Sequence, residues 1–265
     1  MKECVTVLRS FTKPYKLGVA LSGGGARGFA HVGALKAIES CGLRPDIIAG
    51  VSAGSIVSVL YAAGVSTDDM LDLFSNAKFS DFAELSVPKD GFFKLDKFKK
   101  FILKAVKVHN LEDLNIPTVV CATDIDHGCR VAFTEGPIGE RIIASCSIPI
   151  VFKPVKIHGT NYVDGGVLHN LPAWAIRDKC RRLIGINCSP LVNTDHKNTL
   201  IDIAHRTYNL MAKTNAIPDM ELCDLAVETR DIASYRVFNL KEIKRVYQSG
   251  FDCTIKALRQ KGWIK

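Results

Sequence analysis

Two short stretches of this chain carry residue types suited to acyl-transfer chemistry. In Gly50-Val51-Ser52-Ala53-Gly54 a serine hydroxyl stands between glycines, directly after the apolar run Ile47-Ile48-Ala49. That spacing predicts a sharp strand-to-helix turn in which Ser52 is strained and exposed. Side chains at Gly50 or Gly54 would clash in such a turn. The helix opening near Ala53 aims its free N–H groups and positive dipole end at the reacting centre. The second stretch, Gly23-Gly24-Gly25-Ala26-Arg27-Gly28, follows Leu17-Gly18-Val19-Ala20-Leu21. Its bare backbone N–H groups can approach an anion closely, whether phosphate or tetrahedral oxyanion.

Gly23, Gly25 and Gly28 also satisfy the dinucleotide fingerprint, which wants an acid at the end of the second strand. Asp46 precedes Ile47-Ile48 and lies at the wrong end, while Ser52 occupies the right one. The dinucleotide reading therefore loses. A serine is a poor nucleophile without a base. Six histidines follow Ser52, but most stand in polar, loop-like contexts with no shared signature. The more pointed feature is Val163-Asp164-Gly165-Gly166-Val167, after a hairpin of Val155-Lys156-Ile157 and Asn161-Tyr162-Val163. Taken alone, an Asp before Gly-Gly is a turn signal.

In this order the three motifs closely resemble the patatin-like phospholipase family. The stretch Ala144-Ser145-Cys146-Ser147-Ile148-Pro149-Ile150-Val151-Phe152-Lys153-Pro154-Val155 is similar to the family's segment before its catalytic Asp. The resemblance covers 15–189 well and the remainder loosely. It implies a lipid acyl hydrolase with a Ser-Asp dyad, Ser52 as nucleophile and Asp164 as base, and no histidine. It also implies an oxyanion hole in the turn Gly23, Gly24, Gly25, Ala26, Arg27 and Gly28, centred on Gly24 to Ala26. The Asp-Gly-Gly motif is then Asp164, Gly165 and Gly166. Arg27 has two possible tasks, holding an oxyanion or lipid phosphate, or locking the turn through carbonyls. His31 reads as packing and His169 as a loop residue.

The elements that must position these residues follow from periodicity. Strand, glycine turn, helix (29–41, ended by Gly42), strand, serine turn and helix (to Ala63, ended by Gly64) is the plan of an α/β fold. The expected form is a three-layer α/β/α sandwich with a mainly parallel central sheet and its site at the strand C-terminal ends. Ser66 to Asp69 caps a further helix. Strands are predicted at 117–123, 130–134, 183–187 and 225–227, and helices at 137–145, 200–212 and 241–259, with Gly250 marking a weak point or kink. Asp124-Ile125-Asp126-His127-Gly128 reads as a loop, since no second cluster stands at metal-ligand spacing. No repeat or linker divides the chain, so 1–265 is expected to be one domain, with 190–265 completing it.

Lys89 to Lys107 carries seven lysines against two acids, interleaved with Phe92, Phe93, Leu95, Phe98, Phe101 and Ile102. From Asp96 as N-cap, Phe98, Phe101, Ile102 and Ala105 form one stripe. Packing on the core is the favoured reading. Peripheral contact of residues 94–107 with an anionic membrane face is the alternative.

At 265 residues the chain has ample core, and 47% hydrophobic with 23% charged residues is an ordinary globular balance. A net charge of +8 favours anionic partners, but no recognition-helix or basic aromatic sheet supports nucleic acid. Nine scattered cysteines without a C-x-x-C pair argue against a disulfide framework or zinc. Met1 to Pro14 lacks the apolar core of a signal peptide, and no run reaches transmembrane length. The expectation is a cytoplasmic enzyme, peripheral at most, with no metal or cofactor, acting on phospholipid or lysophospholipid. Two alternatives use the same framework: acyl transfer or thioester hydrolysis through the same acyl-enzyme, and a non-catalytic lipid-binding regulator.

Overall fold

The computed structural model describes residues 13–75, 84–85, 93–190, 199–232, 235 and 242–265. Nearly all of the segment read for a leader, the start of the basic stretch (Lys89 to Phe92), and His196 lie outside these residues. In chain order the strands are β1 (Tyr15–Leu21), β2 (Ile47–Val51), β3 (Glu84–Leu85), β4 (Phe93–Lys94) and β5 (Thr118–Asp124). They continue with β6 (Cys129–Phe133), β7 (Val155–Ile157), β8 (Thr160–Asp164), β9 (Cys180–Asn187) and β10 (Leu225–Glu228). The helices are α1 (Phe29–Ser40), α2 (Ala53–Ala62), α3 (Thr67–Ser75), α4 (Asp96–Ala105), α5 (Ile138–Cys146), α6 (Leu200–Glu221) and α7 (Ile243–Gln260).

The central sheet runs β10-β9-β1-β2-β5-β8-β7, with β6 also paired to β5. The five strands from β10 to β5 are parallel, and β6, β8 and β7 join in antiparallel pairs. β2 and β5 are buried along their whole length, which explains why they read as apolar runs rather than alternations. Alternate residues feed two cores. On one face Val19, Leu21, Ile48 and Val120 pack with Leu35 of α1, Leu60 of α2 and Val246 of α7. On the other, Ala20, Ala49, Val51 and Val119 pack with Leu171, Ile176 and Ala216 of α6. This mixed sheet with helices on both sides is the predicted layered architecture.

Local chemistry accounts for the element ends. Gly42 and Gly64 take positive φ (71° and 88°) just beyond α1 and α2. His158 and Gly159, both at positive φ, turn the β7–β8 hairpin. Asp46, rejected above as a ribose ligand, accepts the Leu17 N–H at 2.8 Å and ties the lower ends of β1 and β2 together.

Four expectations shift. Leu95, not Asp96, is the N-cap of α4; Asp96 stands in the first turn, where its charge meets the positive helix end. Pro137 precedes α5 as N-cap rather than entering its first turn. α6 runs on to Glu221, with Pro218 inside it, because Ala216 and Asp219, one and two turns beyond Ala212, are buried and continue its inward face. Gly250 makes no break in α7. A Cβ there would lie 2.0 Å from the Ala30 carbonyl oxygen, and one at Gly33 1.9 Å from that of Tyr247, so the two glycines let α1 and α7 touch backbone to backbone. No described helix is long and apolar enough to cross a membrane.

Candidate active site

The register of β5 brings the two distant motifs together. Val51, the last residue of β2, pairs with Cys121, and Asp164, the last of β8, pairs with the next residue, Ala122. β6 occupies the other edge of β5 over Val120 to Asp124. β2 and the antiparallel β8 therefore share one edge and meet there with their C-terminal ends head to head. The residue after Val51 is Ser52.

Ser52 holds φ 52° and ψ −121°, a backbone state that costs a β-carbon residue roughly 1–3 kcal/mol. Neighbours hold it there. Its N–H donates to Ser145 Oγ at 2.8 Å, and the Ser145 hydroxyl donates to the Cys121 carbonyl at 2.6 Å. A Cβ at Gly54 would lie 2.2 Å from the Leu21 carbonyl oxygen, and one at Gly50 would collide with Gly54 itself. The expected strain is present, but the expected exposure is not. Ser52 is 7% exposed and opens onto a cavity rather than bulk water.

Asp164 is fully buried at the end of β8, its N–H donating to the Ser147 carbonyl at 2.9 Å. Oδ1 accepts the Gly166 N–H at 2.8 Å, while Oδ2 is buried with no partner at hydrogen-bond geometry. Burial raises its pKa to about 6, and the Gly166 N–H and the nearby Ser52 and Tyr208 hydroxyls pull against that rise. Tyr208 comes from α6. Burial, and next to it the Asp164 charge, push the phenol well above its usual pKa, so it stays a donor. The same helix fixes the loop behind Asp164: Asn215 donates to the Gly166 and Val167 carbonyls at 2.9 and 3.2 Å and accepts the Asn170 N–H at 2.8 Å.

Residues 25–28 form a single 3-10 turn beside Ser52. Gly23 N–H donates to the Asn170 carbonyl at 3.0 Å, and Arg27 N–H to the Gly24 carbonyl at 3.3 Å. Both are thereby committed elsewhere, which narrows the predicted six-residue donor set. Gly25 and Ala26, first in the turn, have no acceptor within its ladder and border the same cavity as Ser52. Arg27 is 3% exposed, and its Nε donates to the Gly24 carbonyl at 3.3 Å, a turn-locking contact. Beneath the turn, His31 Nε2 lies 2.7 Å from the Ser22 carbonyl and 3.3 Å from Cys188 Sγ, the packing position expected of it.

The cavity, about 160 Å³, has Ser52, Gly25, Ala26 and Gly28 at one end and an apolar wall elsewhere, including Leu60, Met70, Phe74, Phe98 and Phe152. α4 turns its stripe inward: Phe98 and Ile102 are buried, and Phe98 faces the cavity, whereas Lys97, Lys100, Lys104 and Lys107 stay exposed. Phe98 and Ile102 thus pack into the core, while Phe101 and Ala105 of the same stripe are half-buried.

The other singled-out polar residues sit away from Ser52. His127 Nδ1 lies 2.8 Å from Asp124 Oδ2 in the β5–β6 turn. His169 Nδ1 lies 2.7 Å from Asp219 Oδ2, and its Nε2 lies 3.2 Å from Arg130. Among the described residues no group of three His, Cys, Asp or Glu side chains could hold a metal ion, and the eight described cysteines are free. Tyr208 and Asn215 were invisible in the sequence because no local motif marks them; only the placement of α6 does.

This geometry accords with comparisons to known proteins. Residues 19–176 match the family described as Patatin-like phospholipase, and the chain belongs to it. Similar proteins include neuropathy target esterase sws of Drosophila melanogaster, 28% identical over 221 residues that are 77% of this chain and 15% of that protein. Lysophospholipase NTE1 of Eremothecium gossypii is 28% identical over 220 residues, 77% of this chain and 14% of that one. An uncharacterized NTE family protein of Mycobacterium bovis is 34% identical over 164 residues, 59% and 44% of the two chains. The chain therefore corresponds to less than half the length of these relatives. Among solved structures, VipD from Legionella pneumophila shares the fold at a TM-score of 0.54 and 14% identity, covering 94% of this chain and 67% of that one.

Proposed function

We propose that this protein is a lipid acyl hydrolase of phospholipase A or lysophospholipase type, using a Ser52–Asp164 dyad and an acyl-enzyme. The observation that carries the reading is the head-to-head meeting of β2 and β8, which brings a buried carboxylate to the strained serine that opens onto an apolar cavity. Family membership and the lipid-esterase names of relatives support it.

Asp164 accepts the Ser52 proton as the hydroxyl attacks the ester carbonyl. A pKa of about 6 leaves the carboxylate ionised at neutral pH yet more basic than a solvated one. The N–H groups of Gly25 and Ala26 receive the developing oxyanion, each donor worth ~3 kcal/mol in comparable sites. Asp164 returns the proton to the leaving alcohol, then draws one from water as the acyl-enzyme is hydrolysed. The acyl chain lies along the apolar wall formed by Leu60, Met70, Phe74 and Phe98. We take the chain as one hydrolase domain, a reading supported by the close packing of α7 on α1.

The test is hydrolysis of p-nitrophenyl esters and of lysophosphatidylcholine by wild type and Ser52→Ala. Turnover in the wild type that disappears in the folded variant is the expected result. Equal turnover in the two would remove Ser52 from the mechanism.

A further inference from the structure

One turn in the wall of the apolar cavity keeps an apolar side chain outside. Ile148 and Phe152 both line the cavity onto which Ser52 opens, and the Phe152 N–H donates to the Ile148 carbonyl at 2.9 Å, closing a tight turn between them. Ile150 is its apex, 48% exposed and at φ 73°. A β-branched residue is strained in that left-handed state, where glycine or asparagine would not be. Packing does not repay the strain: Val151 beside it rests on the core, but Ile150 joins no apolar cluster among the described residues. The turn is tied to the start of α4. Phe93 N–H donates to the Val151 carbonyl at 3.0 Å, Lys153 N–H donates to the Phe93 carbonyl at 3.3 Å, and the Phe93 and Phe152 rings lie 6.5 Å apart. α4 follows from Asp96, its one acid. Its exposed Lys97, Lys100 and Lys104 stand at i, i+3 and i+7, a single face away from the buried Phe98 and Ile102.

We propose that Ile150 inserts into the surface of a lipid bilayer, with the lysine face of α4 resting on anionic headgroups beside it. The inference rests on the hydrolase reading and adds the state in which the lipid is met, as a layer rather than as single molecules. Ile148 and Phe152 hold the ends of the turn in the cavity wall, so the apex that enters the layer continues the surface along which an acyl chain passes toward Ser52. Charge and position select the partner. An aliphatic tip beside a row of ammonium groups matches a layer that is apolar within and anionic at its surface. A second copy of the chain fits less well, since a two-fold contact through Ile150 would bring two lysine faces together. α4 therefore supplies the charge of the contact and the Ile148–Phe152 turn its apolar anchor.

The experiment measures cosedimentation with vesicles of mixed phosphatidylcholine and phosphatidylglycerol, and of phosphatidylcholine alone. Binding is read in the Ser52→Ala background, which leaves the vesicles intact. Turnover, with Ser52 present, is read as the ratio of lysophosphatidylcholine carried in those vesicles to monomeric p-nitrophenyl butyrate. Ile150→Asn is expected to lower partition onto both vesicles about tenfold, the scale of one aliphatic side chain withdrawn from an apolar layer, and to lower the turnover ratio with it. Its melting temperature should hold or rise, because asparagine tolerates the left-handed state; Ile150→Leu, which keeps an apolar tip, should retain partition and ratio. Lys100→Gln with Lys104→Gln should weaken partition about tenfold on the anionic vesicles and little on phosphatidylcholine alone. Unchanged partition in Ile150→Asn would overturn the proposal. So would an equal loss of turnover on both substrates, which would put Ile150 to work on the substrate itself. A wild-type dimer in sedimentation velocity that Ile150→Asn dissolves would give the tip to a second copy and overturn it as well. If the wild type hydrolyses neither substrate, the hydrolase reading fails separately; partition that depends on Ile150 still supports the lipid contact, and its absence overturns it.

Discussion

Ser52 and Asp164 are each held in a state their own chemistry disfavours. Ser52 keeps a positive φ that glycine would adopt freely, so Ser52→Gly should abolish ester turnover while raising stability by roughly 1 kcal/mol, measured by urea denaturation. Asp164 has its pKa raised to about 6, above its unfolded value near 3.8. The folded protein therefore binds this proton more tightly, and stability attributable to the group falls as pH rises from about 4 through 6. Asp164→Asn should match wild-type stability near pH 4 and exceed it at pH 7.5 by up to about 3 kcal/mol, with little activity left. The same titration governs catalysis with the opposite sign, since the base must be ionised. kcat/KM should fall below about pH 6, and Tyr208→Phe, which removes a donor to the carboxylate, should move that limb to higher pH. A limb that stays in place in Tyr208→Phe would deny the phenol its part in tuning Asp164.

At the scale of elements, the motifs carried their own secondary structure. Gly50 and Gly54 are glycines for steric reasons that local spacing predicts, and α1 and α2 end at Gly42 and Gly64 as read. The basic stretch was harder, because an amphipathic pattern does not say what its apolar side meets; here Phe98 and Ile102 of α4 meet the core. Gly250 was misread as a weak point for the same reason. Its partner, Ala30, is 220 residues away in sequence and adjacent in space. Gly250→Ala should force α1 and α7 apart and cost about 2 kcal/mol or more, seen as a lowered melting temperature, although alanine favours helix locally. A stabilised Gly250→Ala would mean that the two backbones are not in contact.

At the scale of the molecule, the apolar cavity is assembled from α1, α2, α3, α4 and the segment from Cys146 to Phe152. Its volume belongs to none of them singly. With the cavity as the acyl site, kcat/KM for p-nitrophenyl esters should climb with chain length at up to ~0.8 kcal/mol per buried methylene, then level off once the space is filled. Phe98→Ala should extend the plateau to longer chains. A profile flat from acetate onward would place the acyl chain elsewhere.

The amino-acid order alone determined the fold class, the two glycine-bearing turns and the acid before Gly165-Gly166, because steric demands of sharp turns and buried parallel strands act over a few residues. It did not determine that Asp164 lies beside Ser52. That depends on β2 and β8 sharing one edge of β5, a register set by packing across more than a hundred residues. Nor did it reveal Tyr208 and Asn215, whose places follow from where α6 crosses the site. Burial, and with it the basicity of Asp164, is a property of the assembled core, since only tertiary structure removes water from a carboxylate.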